Sequence, residues 1–73
     1  MITLYSNNCP TCNTVAALLR DKGLRYEYRA AADYLEFLKE QGVRSMPAML
    51  TEDGVVYEGA DCLVAIKEGE LCN

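Results

Sequence analysis

Two cysteines separated by two residues, Cys9 and Cys12 in the stretch NNCPTCN, are the side chains of this sequence best suited to chemistry. A Cys-x-x-Cys spacing suits a redox-active dithiol, two ligands of a metal site, or one part of a structural disulfide scaffold. Two further cysteines, Cys62 and Cys72, lie far along the chain and do not form a second closely spaced pair. The spacing alone leaves the three kinds of site open, so the rest of the sequence has to decide among them.

The composition limits the size of the protein and the kinds of partner it can bind. With 73 residues, 51% of them hydrophobic, the chain suits a single domain over residues 1–73 that buries about 60% of the unfolded chain's surface. Seven Lys and Arg are spread among eleven Asp and Glu, for a formal charge of −4. Because no basic stripe is available for phosphates or anionic lipid, we expect neither nucleic acid nor a membrane as a partner. We expect a monomer.

The sequence also indicates the compartment. The longest uninterrupted apolar run, VAALL, is far shorter than a bilayer span, and Met1 leads into ITLY without the regions of a signal peptide. We therefore predict a cytoplasmic protein. In a reducing compartment permanent disulfides are rare, which argues against the scaffold and favours a catalytic or metal-binding pair. The chain has no histidine, the commonest metal ligand.

The pattern of apolar residues places the pair at the start of a helix. Residues 2–6, ITLYS, are typical of a short buried strand. Pro10 then stands where proline favours helix initiation, and Gly23 supplies the stop. Between them the apolar residues recur at helical spacing, at Cys12, Val15, Ala16 and Leu19. Cys9 is therefore expected at the N-terminus of this helix.

The next two segments predict a strand and a second helix. Residues 24–29, LRYEYR, alternate apolar and charged side chains as a half-exposed strand does. Residues 31–41 follow as a helix that Gly42 ends, and we expect Tyr34 and Phe37 to pack in the core. The face shared along this helix is predicted to consist of Tyr34, Leu35, Leu38 and Gln41.

The last third of the chain completes an α/β fold of the order β-α-β-α-β-β-α. Asp53 and Gly54 predict a hairpin turn between two short strands, and a final helix begins near residue 60 or 61. A strand, helix and strand of this length form a right-handed parallel crossover, whereas a tight hairpin adds antiparallel strands. We therefore predict a four-stranded mixed sheet with helices on its faces.

The two cysteines of the pair are expected to differ in reactivity. At a helix N-terminus, unpaired backbone N–H groups and the helix dipole favour negative charge, so we predict that Cys9 is substantially ionised at neutral pH. Cys12 lies one turn further, on the apolar face of Val15 and Leu19, and should stay protonated until its partner has reacted. Two-step disulfide exchange uses such a pair: Cys9 attacks a substrate disulfide, and Cys12 resolves the mixed disulfide. We predict a thiol-disulfide oxidoreductase with Cys9 and Cys12 as catalytic residues.

The two residues inside the motif are candidate substrate contacts. Pro10 fixes the turn between the cysteines, a role compatible with helix initiation. Thr11 offers a substrate either its hydroxyl group or only its backbone N–H. The sequence does not decide between these two contacts.

The motifs together resemble the glutaredoxin family over essentially the whole chain: CPTC after the first strand, then GVRSMP, a hairpin, and EGAD opening the last helix. The resemblance implies a thioredoxin-like fold in which Pro47 is cis and lies opposite Cys9, where an isolated sequence would also allow a trans proline beginning a strand. It implies that the backbone of Met46 pairs with an extended substrate segment. It further implies no permanently bound cofactor and glutathione as co-substrate.

The sequence departs from the glutaredoxin pattern at the expected glutathione site. Glutaredoxins usually carry a Lys or Arg shortly before the nucleophile, where this chain has only Ser and Asn, and an aromatic residue at the position of Thr11. Their Gly-Gly before the last helix corresponds to Glu58 and Gly59. Gly59, Asp61 and the N-terminus of the last helix remain for glutathione, with Arg44 as a replacement cation.

A second reductant is consistent with the same motifs. Some glutaredoxin-like redoxins are reduced by thioredoxin reductase and donate electrons to ribonucleotide reductase, and their loop before the cis proline is similar to GVRSMP, with Arg at the position of Arg44. Their Trp-Ser-Gly-Phe-Arg-Pro segment corresponds here to YEGADC, which lacks the Trp, Phe and Arg. The sequence therefore leaves glutathione and thioredoxin reductase open as reductants of a carrier that acts on disulfide-containing proteins.

The four cysteines also allow sites other than one for disulfide exchange. Four cysteines could form a tetrahedral zinc site, but Cys62 and Cys72 do not form a second closely spaced pair of ligands. Pro10 and the second cysteine of the motif argue against an iron-sulfur cluster bound through Cys9. We predict no metal ligands. The presence of both cysteines of the pair argues against a binding module without catalysis. Cys62 is either an auxiliary thiol near Cys9 or a small hydrophobic core residue. Cys72 is predicted to be an exposed free thiol.

Overall fold

A four-stranded mixed sheet with the strand order β2-β1-β3-β4 forms the centre of the computed structural model, which describes residues 1–69. β1 pairs in parallel with β2 and antiparallel with β3, and β3 and β4 form an antiparallel pair. The predicted thioredoxin-like α/β architecture is confirmed. In chain order the elements are β1 Ile2–Ser6, α1 Pro10–Asp21, β2 Tyr26–Ala30, α2 Leu35–Glu40, β3 Ala48–Leu50, β4 Val56–Glu58 and α3 Ala60–Lys67.

The sheet separates two clusters of buried side chains. On one face, Ile2 and Leu4 of β1 pack with residues of α1 and α3, among them Ile66. On the other face, Tyr5 packs with Leu38 of α2. The alternation follows because successive side chains of a strand point to opposite faces of the sheet. β1 is thus covered on both faces up to the point where the cysteine loop begins.

The first helix has the predicted ends. Pro10 is its first residue, and Arg20 lies in its last turn. Gly23 follows with φ of 70°, a left-handed conformation that suits glycine, and its N–H donates to the Arg20 carbonyl at 3.0 Å. Within residues 1–69, none of the helices is long and apolar enough to cross a membrane.

The second helical segment departs from the predicted helix over residues 31–41. Its first turn, Ala31–Tyr34, is a 3-10 helix, and α2 begins only at Leu35. A 3-10 helix has about 3.0 residues per turn instead of 3.6, so the apolar face is rotated across the junction. Leu38 is buried as expected, whereas Leu35 is 56% exposed and Gln41 is also exposed. The predicted shared face is therefore wrong for Leu35 and Gln41.

The aromatic residues of this segment do pack in the core. The ring of Tyr34 lies edge-on to that of Tyr5 with 5.2 Å between centroids, and the Phe37 ring lies 5.9 Å from Tyr5. The Arg29 guanidinium donates a hydrogen bond to the Tyr34 hydroxyl at 3.1 Å and contacts its ring face. Core packing, the role predicted for Tyr34 and Phe37, is confirmed.

The second strand begins later than predicted, at Tyr26, and lies at an edge of the sheet. Leu24 and Tyr26 are half-buried and pack against the cluster beneath α1. Tyr28, the third residue of the predicted alternation, is instead 50% exposed. Its hydroxyl group reaches the loop before Cys9, so this side chain belongs to the surroundings of the cysteine pair.

The predicted hairpin joins β3 and β4. The Thr51 N–H donates to the Val55 carbonyl at 2.9 Å, and the Gly54 N–H donates to the Thr51 carbonyl at 3.1 Å. Gly54 has φ of 88°, a conformation that residues with a Cβ atom avoid. The Asp53-Gly54 turn predicted from the sequence is confirmed.

Candidate active site

The two cysteines lie at the N-terminus of α1, which follows β1 after a short loop. Cys9 is the N-cap residue, with extended backbone angles of φ −73° and ψ 161°, and Pro10 follows as the first helical residue. The Cys9 sulfur accepts a hydrogen bond from the Cys12 backbone N–H at 3.1 Å. The two sulfurs form a disulfide, with 5.0 Å between the Cα atoms. The structure therefore brings the predicted pair together across one helical turn.

The two sulfurs differ in their access to solvent. Cys9 is partly exposed, whereas Cys12 is 1% exposed and shares the buried face of α1 with Val15 and Leu19. Once the disulfide is opened, the helix N-terminus favours a negative charge on Cys9, and the apolar surroundings disfavour one on Cys12. An incoming disulfide can therefore reach a charged sulfur at Cys9 while the sulfur of Cys12 is shielded.

The loop between β1 and α1 is held by hydrogen bonds that the sequence analysis did not anticipate. Asn8 adopts the left-handed conformation, with φ of 64°. Its N–H donates to the Ser6 hydroxyl oxygen at 3.1 Å, and its side-chain oxygen accepts from the Tyr28 hydroxyl at 3.1 Å. Asn7 Oδ1 lies 3.4 Å from the Cys12 sulfur. The positions that lack the glutaredoxin cation thus order the loop.

A weak sequence signal for part of this arrangement existed. Asparagine tolerates the left-handed conformation better than most residues, so an Asn before a helix is a candidate for it. That signal could have indicated Asn8 but not the partners of its side chain. The contact between Asn7 and Cys12 has no sequence signature, because it depends on how the loop folds back over the first turn of α1.

The loop before β3, called here the cis-proline loop and comprising residues 43–47, contains a cis peptide bond between Met46 and Pro47. The cis bond is the one that the glutaredoxin resemblance implied. Tyr5 of β1 pairs with Ala48 of β3, so the cis proline lies at the end of the sheet where β1 leads into the cysteine loop. Pro47 is fully buried and Met46 half-buried. The contact of Met46 with a substrate backbone stays a prediction.

Three hydrogen bonds join the cis-proline loop to the end of β4 and the start of α3. The Pro47 carbonyl oxygen accepts from the Gly59 N–H at 2.8 Å and from the Cys62 thiol at 3.5 Å. The Glu58 carboxylate accepts from the Arg44 N–H at 2.6 Å. In the sequence Glu58 stands out only as a departure from a glycine pair, whereas in the structure its side chain is a partner of the loop.

Gly59 is suited to its position for two physical reasons. Its backbone angles, φ 55° and ψ −134°, belong to a region that residues with a Cβ atom rarely adopt. A Cβ atom added there would lie 3.0 Å from the Ser45 hydroxyl oxygen, closer than almost all real contacts of this kind. The close approach of α3 to the cis-proline loop therefore depends on glycine.

The other predicted binding residues lie on three segments of the structure. Thr11 is half-buried in the first turn of α1, Arg44 is exposed in the cis-proline loop, and Asp61 is exposed in the first turn of α3. Gly59, one of the residues expected at a glutathione site, donates its N–H to the Pro47 carbonyl oxygen at 2.8 Å. Asp61 adds a carboxylate beside this helix end. The binding of glutathione by these residues stays a prediction.

Cys62 is a core residue. It is fully buried in the cluster that includes Ala65 and Ile66. Burial, and secondarily the neighbouring Asp61 carboxylate, raise the pKa of the Cys62 thiol to about 12. Of the two roles considered from the sequence, the structure supports packing. Cys72, predicted to be an exposed free thiol, lies outside the described residues.

Side chains that bind metals are not clustered in the part of the chain that the structure describes. Among residues 1–69, no three Cys, Asp or Glu side chains lie close enough together to hold a metal ion. Cys9 and Cys12 are joined to each other, and Cys62 donates to a backbone carbonyl. The residues described therefore offer a disulfide pair as their reactive group.

Comparisons with known proteins agree with this geometry. The family model of the thioredoxin domain matches residues 1–68. Among solved structures, the fold is similar to NrdH-redoxin from Escherichia coli, a glutaredoxin-like protein with a thioredoxin-like activity profile, at 22% identity and a TM-score of 0.78. The match covers 99% of this chain and 97% of that chain. A comparison with curated proteins finds no match to this sequence.

Proposed function

The chain belongs to the thioredoxin domain family and is a thiol-disulfide oxidoreductase with a redox-active cysteine pair; on that basis we propose that Cys9 is its nucleophile and Cys12 its resolving thiol. One observation carries the assignment. The Cys9 sulfur is partly exposed and accepts an N–H hydrogen bond at the helix N-terminus, whereas Cys12 is 1% exposed. The substrates are disulfides of other proteins.

The exchange proceeds in two steps. The Cys9 thiolate attacks one sulfur of a substrate disulfide, which forms a mixed disulfide and releases the other substrate sulfur as a thiolate. Cys12 then gives up its proton and attacks the Cys9 sulfur, which forms the intramolecular disulfide and releases the second substrate sulfur as a thiol. The substrate has gained two electrons, and a reductant must return two electrons to the pair before the next cycle.

For the reductant, thioredoxin reductase fits the charges around the site better than glutathione does. Glutathione is an anionic tripeptide, and no Lys or Arg lies among residues 6–8. The Glu58 carboxylate accepts from the Arg44 N–H, so a negative charge lies beside the one cation proposed to replace the missing Lys or Arg. Like charges at short distance oppose binding. The thioredoxin-like activity profile of the Escherichia coli NrdH-redoxin supports the same choice.

A coupled turnover assay on a small disulfide tests the reductant. The metal-free protein is supplied with reducing power through thioredoxin reductase in one arm and through glutathione with glutathione reductase in the other. We expect turnover with thioredoxin reductase and little with glutathione. Efficient turnover with glutathione alone would show instead that glutathione is the co-substrate and that Arg44 replaces the missing cation.

A charge-neutral variant sharpens this assay. Glu58→Gln retains an oxygen that can accept from the Arg44 N–H but removes the negative charge, so it should raise turnover with glutathione and leave turnover with thioredoxin reductase unchanged. Glu36→Gln, on the exposed surface of α2, is the matched control for the loss of one charge. An equal response of the two variants would show that Glu58 does not act on glutathione directly.

The physiological acceptor and compartment are further parts of the proposal. The loop before Pro47 resembles that of redoxins that donate electrons to ribonucleotide reductase. Ribonucleotide reductase is therefore the first protein substrate to test. A dithiol carrier of this kind works in a reducing compartment, and we propose the cytoplasm. Absence of turnover in both arms of the assay, together with one equivalent of zinc in protein purified without chelator, would replace the redox function by metal binding.

A further inference from the structure

We propose that Asn7 is a positioning residue of the exchange reaction, whose side-chain amide oxygen holds the proton on the resolving thiol of Cys12. The inference rests on the roles proposed above for Cys9 and Cys12. It concerns a residue that the sequence analysis noted only for the absence of a cation. If Asn7 acts in this way, it sets both the order of the two thiols and the balance between dithiol and disulfide.

The two sulfurs of the pair lie in opposite hydrogen-bonding environments. The Cys9 sulfur accepts a hydrogen bond from a backbone N–H, which stabilises a thiolate. The Cys12 sulfur lies 3.4 Å from the side-chain oxygen of Asn7, an acceptor that stabilises a thiol and opposes a negative charge. Cys12 otherwise shares the apolar face of α1 with Val15 and Leu19.

The neighbouring residue holds this acceptor in place. Asn8 is bonded through its N–H to the Ser6 hydroxyl oxygen and through its side chain to the Tyr28 hydroxyl, each at 3.1 Å. Its left-handed conformation turns the chain between the strand and the helix. Asn7 directly precedes Asn8, so its amide is presented to Cys12 by a loop that is anchored on β1 and on the edge strand β2. This arrangement positions the acceptor before a substrate arrives.

The contact of 3.4 Å is seen with Cys12 in the disulfide, where its sulfur has no proton, so a hydrogen bond can form there only in the dithiol. In the dithiol, the Cys12 S–H group donates to Asn7 Oδ1. When Cys12 attacks the Cys9 sulfur of the mixed disulfide, its proton passes to the departing substrate sulfur and the Asn7 oxygen loses its donor. Asn7 therefore favours the dithiol over the disulfide. A net hydrogen bond of modest strength corresponds to a threefold to fivefold change in this equilibrium constant, about 14 to 21 mV for a two-electron couple.

Removal of the acceptor gives the first test. Asn7→Ala should shift the equilibrium with a dithiothreitol redox buffer about threefold to fivefold toward the disulfide. Asn7→Asp has the same shape but carries a negative charge, so it should retain the Cys12 proton more strongly and shift the equilibrium toward the dithiol. Asn13→Ala and Asn13→Asp, at an exposed position one residue after the motif, are the matched controls and should change little.

A titration isolates the proton on Cys12. In a Cys9→Ser, Cys72→Ser background, the thiol groups left are Cys12 and Cys62, and burial raises the pKa of Cys62 to about 12, which keeps its titration separate. Cysteine-selective 13C labelling resolves the two thiols by NMR, so the Cβ chemical shift of Cys12 against pH reports on its proton without interference from the five tyrosines. Addition of Asn7→Ala should move the titration to lower pH, and addition of Asn7→Asp should move it to higher pH.

The outcomes separate this inference from the proposed function. Shifts of opposite sign for Ala and Asp support the role of Asn7, since a purely structural role would move both variants in the same direction. An unchanged titration would overturn it. A shift to higher pH for Asn7→Ala would also overturn it, because the amide nitrogen and not the oxygen would then face the sulfur. The titration needs no substrate, so it remains decisive even if the intact protein turns over no disulfide.

Discussion

Replacement of Gly59 by alanine tests whether the contact between α3 and the cis-proline loop depends on glycine. The backbone angles at this residue, φ 55° and ψ −134°, cost a residue with a Cβ atom about 1 to 3 kcal/mol. The new Cβ atom would also lie 3.0 Å from the Ser45 hydroxyl oxygen, which must move by a few tenths of an ångström. Displacement of that side chain from its rotamer adds about 0.5 to 1.5 kcal/mol. We expect Gly59→Ala to lower the free energy of unfolding by about 1.5 to 4.5 kcal/mol.

A matched glycine separates the two contributions. Gly42 also has a positive φ, 79°, but a Cβ atom there would have no neighbour within 4 Å. Gly42→Ala should therefore show only the cost of a left-handed backbone, about 1 to 2 kcal/mol. Adding Ser45→Ala to Gly59→Ala should recover the part of the loss due to the clash, whereas adding it to Gly42→Ala should recover nothing.

Urea denaturation provides the measurement, since a change in midpoint at constant slope reports a change in stability. A loss of this size is a large part of the total stability of a small domain, about 5 to 15 kcal/mol. If Gly59→Ala costs no more than Gly42→Ala, the approach of α3 to the loop does not constrain this residue. If Ser45→Ala fails to recover stability in the Gly59→Ala background, the close contact is relieved by movement elsewhere and the reasoning about Ser45 is wrong.

Three further predictions concern the thiols. Cys12→Ser should trap mixed disulfides that mass spectrometry detects, whereas Cys9→Ser should abolish exchange; an active Cys9→Ser with a Cys12→Ser that traps nothing would reverse the two roles. Oxidation should change the far-ultraviolet circular dichroism little, because the pair closes across one helical turn, and a large change on adding reductant would contradict this. Finally, burial raises the pKa of Cys62 from its ordinary value of 9.0 to about 12, so between these values the unfolded chain releases a proton that the folded chain retains. Stability should accordingly fall as pH rises through that window, and urea midpoints of Cys62→Ala should show a weaker fall than those of the unmodified protein.

Local sequence patterns were sufficient to predict most of the fold. Pro10 and Gly23 bound the first helix because their backbone preferences act within one or two residues. The Asp53-Gly54 turn was predictable for the same reason. The 3-10 turn before Leu35 was not, because a change of helical period depends on how Ala31–Tyr34 pack on the sheet and leaves no distinct pattern of apolar residues.

The candidate site was predictable in its chemistry and only partly in its surroundings. Cys9 and Cys12 could be identified because their spacing and the helix start are local features. The cis bond at Pro47 followed from a resemblance over the whole chain, since no property of the Met-Pro dipeptide requires it. The partners of the cis-proline loop, Glu58 and Cys62, come from another part of the chain, so only the folded structure reveals their contacts.

The absence of a cation before Cys9 has a different meaning in the structure from the one it had in the sequence. As a sequence feature, the run of Ser6, Asn7 and Asn8 was a loss, because it removes a charge that glutaredoxins use. In the structure these three residues supply neutral acceptors: one binds a backbone N–H, one binds a tyrosine hydroxyl, and one lies 3.4 Å from the Cys12 sulfur. A Lys or Arg side chain has only donors, so it could accept neither the backbone N–H nor a thiol proton, although it could donate to the tyrosine hydroxyl. The loop therefore cannot keep its present hydrogen bonds and also bind a glutathione carboxylate through a cation at these positions.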